Sequence, residues 1–155
     1  MGAVPASTGR RVGLVWAGDP KHLDDSRRSV PFTDLLPLFE KSGISFCGLQ
    51  VGDWAKDPIE HSLNNFKDLS AELVDYSATA RAIAELDLVI SADTSVAHLA
   101  GAMGKPVWLM LPYTPDWRWG LEGNKTAWYP GMELFRQTQP DNWSGVISEI
   151  AKRLD

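Results

Sequence analysis

Residues 86–111 read LDLVISADTSVAHLAGAMGKPVWLML. Two short apolar runs, residues 88–91 and 107–111, flank a stretch of helical composition over residues 96–103. Apolar runs without polar alternation belong to strands covered on both faces. Gly104 just past the helix, with Pro106 beyond it, supplies the expected stop. The unit reads as strand, helix, strand, and strands joined through a helix lie parallel.

The same alternation continues outward. Upstream, residues 12–17 (VGLVWA) form an apolar run that ends at Gly18-Asp19-Pro20, and residues 44–50 (ISFCGLQ) form another. Between them, residues 32–41 carry Leu35, Leu36, Leu38 and Phe39 with Thr33 as a cap. That is a helix which Pro37 must bend or shorten. Residues 53–65 are polar and irregular, and residues 67–69 make a short strand. Asp75 caps a helix running to Leu86, with Tyr76, Ala80 and Ile83 along one face. Downstream come a long aromatic loop over residues 112–130, a strand over 132–136 and a terminal helix over 142–154. The fold class is α/β, a Rossmann-like doubly wound parallel sheet with helices on both faces. In that architecture ligands bind beyond the carboxyl ends of the strands.

The chain of 155 residues fits one domain, residues 11–155, with residues 1–10 a linker or cloning boundary. Its 44% hydrophobic and 23% charged content are ordinary for a folded domain. A net charge of −5 argues against nucleic acid or an anionic membrane as the partner, so any phosphate site must be a local arrangement. No apolar run is long enough to span a bilayer. The single Cys47 lies in an apolar run, no Cys/His spacing resembles a zinc site, and a cytoplasmic location fits. The sequence carries seven tryptophans, which serve equally in a core or under a base or sugar.

Chemistry is expected just after the strands. At Ser91-Ala92-Asp93-Thr94-Ser95-Val96-Ala97-His98 a buried strand gives way to a helix capped by Thr94 or Ser95. A helix start offers unpaired N–H groups and partial positive charge, which suit phosphate. His98 lies within the first turn, able to donate to a phosphate oxygen, and Asp93 can accept from sugar hydroxyls. The same residues also suit a plain cap, a dipole-matched carboxylate and a packed imidazole. After residues 12–17 there is neither G-x-G-x-x-G nor a P-loop, yet Lys21, His22, Arg27 and Arg28 form a positive cluster. That cluster reads either as a solvated face or as an anion site. Asp116-Trp117-Arg118-Trp119 can stack on a ring or simply fill the surface beneath a loop.

The segments VGLVWAGDPKHLDDSRRSVPF, FCGLQVG, LDLVISADTSVAHLAGAMGKPVWLMLPYTPDWRW, WYPGMELFRQ and DNW resemble the carboxyl-terminal domain of GT-B glycosyltransferases. They are most similar to bacterial tetratricopeptide-repeat (TPR) proteins whose glycosyltransferase region is related to family 9 heptosyltransferases and to O-GlcNAc transferase. The resemblance implies a domain that binds a nucleotide-diphosphate sugar as substrate, with no cofactor and no metal. It implies that Asp93 contacts the sugar, that the Thr94 and Ser95 N–H groups hold the diphosphate, and that His98 assists. Gly18 and Arg28 border the donor, Gln50 meets the nucleotide or ribose, and His22 and Trp117 are neighbours. The catalytic base belongs to an amino-terminal acceptor domain or TPR-bearing region outside this sequence, so no catalytic residue is assigned and the chain reads as half an enzyme. Where relatives often carry lysine after the glutamine, this chain has Val51. A non-catalytic nucleotide-binding module is the alternative.

Overall fold

The computed structural model describes residues 9–19, 21 and 25–155. The expected linker lies, up to residue 8, outside the described residues. Every apolar run becomes a strand: β1 (Arg10–Val15), β2 (Ile44–Gly48), β3 (Phe66–Asp68), β4 (Leu88–Ala92), β5 (Val107–Leu111) and β6 (Met132–Arg136). All pair in parallel, in the order β3-β2-β1-β4-β5-β6. Among the described residues the α-helices are α1 (Asp25–Arg28), α2 (Tyr76–Ala84), α3 (Ser95–Ala102) and α4 (Ser144–Arg153). This is the expected α/β, doubly wound sheet.

Both sheet faces are dry, which is why the strands read as unbroken apolar runs. Val12, Leu14, Phe46, Leu88, Ile90 and Met110 point to one face, where Leu35 and Leu38 join Val146, Ile147 and Ile150 of α4. Val15, Cys47, Val89, Leu109 and Leu111 point to the other, against Ala82 and Ile83 of α2 and Ala97 and Ala100 of α3. Each fully buried leucine or isoleucine contributes roughly 1.5–3 kcal/mol relative to exposure. Cys47 belongs to this second layer, and burial pushes its thiol up to about 11, so it is an inert core residue at neutral pH.

Local readings change in several places. Residues expected as an α-helix over 32–41 form a 3-10 helix, Phe32–Glu40, entered from Pro31 without a side-chain cap. Pro37 inside it has no N–H to give and would clash with an i−4 carbonyl, so the α pattern cannot propagate. The segment read as irregular after Gly52 is also a 3-10 helix, Asp53–Glu60, containing Pro58. Asp75 does cap α2, accepting from the Ala78 N–H at 2.8 Å, but that helix ends at Ala84.

The strand order matters most for function. Chain connections leave β1 toward β2 on one side and, later, toward β4 on the other. At such a reversal the loops after the two central strands part and leave a crevice at their carboxyl ends. Residues 16–19 follow β1, and residues 93–95 follow β4.

Candidate functional site

The start of α3 opens onto that crevice. Thr94 is its N-cap residue, in extended conformation, yet its side chain makes no capping bond. The reason is local. The Ser91 hydroxyl gives its one hydrogen to the Ala92 carbonyl at 2.6 Å, so Thr94 Oγ1, 3.1 Å away, must be the donor to Ser91 Oγ. The Thr94 hydroxyl therefore turns back toward the strand instead of closing the helix. Ala97 and His98 bond back to the Thr94 carbonyl, and no described hydrogen bond takes up the Ser95 or Val96 N–H groups. Ser95 is exposed and Thr94 half-buried, so these donors and the positive end of the helix dipole face outward.

The crevice they face is about 490 Å³, within the range of small-molecule sites. Gly18, Arg28, Gln50, Thr94 and Ser95 all line it, as do Val51, Trp54 and Val96. A smaller hollow of about 140 Å³ adjoins it, lined by Arg27, Arg28, Asp93 and Asp116 among others. Arg28 lines both, and its Nε is buried with no hydrogen-bond partner among the described residues. A buried donor without an acceptor is costly unless a ligand or solvent supplies one. His22 lies outside the described residues.

Gln50 is placed differently from a free ligand contact. Its Oε1 accepts from the Trp16 and Ala17 N–H groups at 3.0 and 2.9 Å. Its Nε2 donates to the Ala17 carbonyl at 2.9 Å and, more weakly, to that of Val51 at 3.4 Å. Both lone-pair sites and both hydrogens are engaged. The side chain splices the end of β1 to the end of β2 and forms the crevice floor.

Asp93, 8% exposed, accepts a bond from the Trp119 indole N–H at 3.0 Å. Its other oxygen lies 3.8 Å from His98 Nε2. His98 stacks on Trp119, with centroids 5.5 Å apart and planes at 25°. Its Nδ1 is 2.9 Å from the Tyr129 hydroxyl, and its Nε2 is 3.2 Å from Arg118 Nη1. Arginine only donates, so Nε2 accepts, the proton sits on Nδ1, and the ring is neutral as drawn together here. Tyr129 comes this close because Gly101 lies one turn on; a Cβ there would stand 2.7 Å from the tyrosine ring. Trp117, by contrast, is 79% exposed and lines neither hollow. Sequence reasoning singled out Trp117 and missed Trp119, Arg118 and Tyr129 as the groups around Asp93 and His98. Only the DWRW segment hinted at the first two.

Burial, more than any other influence, holds the His98 imidazole below its ordinary value of 6.5; Arg118 adds to this, while Asp93 and Asp116 oppose it. The sign for stability follows by linkage. Below about pH 6.5 the unfolded imidazole takes up a proton that the folded one resists, so stability falls with pH from there down to the folded value. A His98→Gln variant should lose that part of the slope. Denaturant midpoints for both proteins, taken at about pH 7.5 and about pH 5.5, measure it; parallel slopes would show that burial does not control this ring.

A further hollow, about 300 Å³, lies along β6 and α4. Its charges answer one another: Arg153 binds both oxygens of Glu133 and holds that carboxyl below its usual range. Among the described residues no group of three or more His, Cys, Asp or Glu is placed to hold a metal ion, and no helix is long and apolar enough to cross a membrane.

The six-stranded parallel sheet with helices on both faces has the fold of one half of a GT-B protein. Solved structures of that fold overlie nearly the whole chain. Escherichia coli heptosyltransferase WaaC with ADP-2-deoxy-2-fluoro heptose matches 99% of this chain with a TM-score of 0.70 and 14% identity. WaaC with ADP matches 98% with a TM-score of 0.64 and 19% identity. E. coli ADP-heptose LPS heptosyltransferase II matches 96% with a TM-score of 0.65 and 15% identity. The chain spans 46%, 44% and 46% of those three chains, respectively. Protein FlbA of Caulobacter vibrioides is 29% identical over 154 residues, covering 94% of this chain and 25% of FlbA. No protein-family profile matches the chain.

Proposed function

We propose that this chain is the donor-binding domain of a glycosyltransferase, which transfers a sugar from a nucleoside diphosphate when joined to an acceptor-binding domain. The observation that carries the reading is the uncapped first turn of α3 in a crevice at the strand reversal that Arg28 also lines, its Nε buried without a hydrogen-bond partner among the described residues. N–H groups, helix dipole and guanidinium line one crevice, in a protein of net charge −5. The likeness to WaaC structures holding ADP and an ADP-sugar analogue supports a nucleoside diphosphate as the anion.

In this reading the diphosphate lies against Thr94, Ser95 and Arg28, the nucleoside extends over Gly18, Val51 and Trp54, and the sugar reaches Asp93. As the glycosidic bond breaks, negative charge grows on the departing diphosphate. Fixed N–H groups and a fixed cation stabilise that charge without having to reorganise. The base that deprotonates the acceptor hydroxyl comes from the other domain. No metal is required by this arrangement. The exposed Val51, standing where the resemblance implies a lysine, favours one second reading, a binding module that holds nucleotide or nucleotide-sugar without transferring sugar.

Titration with inorganic pyrophosphate, ADP, UDP, GDP and their sugars, followed by amide NMR, tests the proposal. Shifts should concentrate at residues 93–98 and at the Arg28 guanidinium. Arg28→Ala should weaken pyrophosphate binding about 10- to 100-fold, the worth of a hydrogen bond to a charged group. If none of these anions moves resonances of residues 91–98, the donor-site reading is wrong. Sugar release by the full-length protein separates the enzyme from the binding module.

A further inference from the structure

We propose that Arg136 is a positioning residue for Asp93 and His98, acting through Trp119; in its link to ligand binding this rests on the donor-site reading above. Arg136 is the last residue of β6, level with Leu111 at the carboxyl edge of the sheet. Its guanidinium does not face the crevice or an acid. It donates instead into one turn of the neighbouring loop: Nε to the Gly123 carbonyl at 2.7 Å, Nη1 to Gly120 at 2.9 Å, and Nη2 to Trp119 at 2.5 Å and to Glu122 at 3.2 Å. Four carbonyls converge on one planar cation.

Such convergence needs a backbone that turns sharply, and Gly120 and Gly123 supply it with φ of 67° and 87°. Carbonyls aimed at one point repel one another, so the turn holds its shape only around a donor with several N–H groups in a fixed fork. Lysine has no such fork. One residue of that turn matters for the site. Trp119 is clamped by Arg136 at its carbonyl and by Asp116 at its N–H, 3.1 Å, while its indole reaches back to the Asp93 carboxylate and covers the His98 ring. The chain of contacts therefore runs from Arg136 to the Trp119 backbone, to its indole, and so to Asp93 and His98. The Trp119 indole N–H holds one Asp93 oxygen at 3.0 Å, and the other stands 3.8 Å from His98 Nε2.

The groups facing His98 are Asp93, Arg118, Asp116, Tyr129 and the Trp119 ring. If the clamp is removed, Trp119 loosens, His98 gains solvent and Asp93 gains freedom to approach it. Both changes favour the imidazolium, so the His98 titration midpoint must rise toward or above the ordinary imidazole value.

The test uses the full chain without ligand. In Arg136→Ala, and equally in Trp119→Phe, the indole N–H signal of residue 119 (lost in the phenylalanine variant) and the His98 imidazole titration are followed by NMR. The expected result is a shift of the Trp119 indole resonance in Arg136→Ala, with an upward move of the His98 midpoint in both variants. If Arg136→Ala does not fold, Arg136→Gln, which keeps two donors, takes its place with the same expectations. A folded variant whose stability falls while both signals stay in place overturns the proposal, because a merely structural clamp would do that. The readout is ligand-free, so it stands apart from the pyrophosphate titration, whose failure in the wild-type protein would sink the donor-site reading alone.

Discussion

Trp119→Ala will lower the unfolding free energy by about 3–5 kcal/mol, while Trp117→Ala, two residues away, will change it by less than about 0.5 kcal/mol. The indole of Trp119 is 3% exposed and packs within the core layer that holds Leu109, Leu111 and Leu134. Its removal opens a cavity under the loop and leaves Asp93 without its indole donor, and both costs act in the same direction. Trp117 is 79% exposed, so truncating it uncovers almost nothing. Guanidinium denaturation of the three proteins at neutral pH decides the matter. Equal losses from the two variants would mean that the side chains are not placed as described. If Trp117 belongs to the donor site, as the resemblance implies, its variant will alter ligand binding at unchanged stability.

This pair shows where the sequence stops speaking. Both tryptophans sit in one four-residue motif, and nothing in their spacing says which turns inward. The choice is made by Asp116, whose carboxylate caps the short 3-10 turn, and by Arg136, which reaches it from another strand. Neither contact has a periodic signature. The sheet, by contrast, was legible from the apolar runs alone, because strands buried on both faces admit no alternation. The start of α3 was legible too, since Thr94-Ser95 after a buried strand leaves few alternatives; what could not be read was that the Thr94 hydroxyl turns toward Ser91 and leaves the turn uncapped. Pro37 announced a shortened helix and delivered a 3-10 one. Tyr129 had no signal except, in retrospect, a glycine on the helix it approaches.

The first strand was misjudged for an instructive reason, and that reason yields the second large effect. Residues 12–17 read as one apolar strand, but β1 ends at Val15. Trp16 and Ala17 are still buried and still need partners for their N–H groups, and no neighbouring strand supplies them. Gln50, from the end of β2, does so with one oxygen, a contact across 34 and 33 residues that no local pattern could reveal. Replacing Gln50 by methionine keeps the volume and removes every hydrogen bond. Two buried N–H groups are then left unpaired at roughly 1–3 kcal/mol each, so the expected loss is about 2–6 kcal/mol. Gln50→Glu keeps an acceptor for both N–H groups but sets a buried carboxylate against the Ala17 and Val51 carbonyls that the amide served, so it too should destabilise the protein at neutral pH. These losses separate two roles for one residue. A glutamine that chiefly contacted a nucleotide would leave unfolding untouched in both variants and change only affinity. A glutamine that splices β1 to β2 must destabilise the protein in both variants, and must also displace Gly18, the next residue along the crevice. Denaturation midpoints of the ligand-free protein, with the Gly18 amide resonance as a local reporter, distinguish the two, and an unchanged midpoint in Gln50→Met would refute the splice.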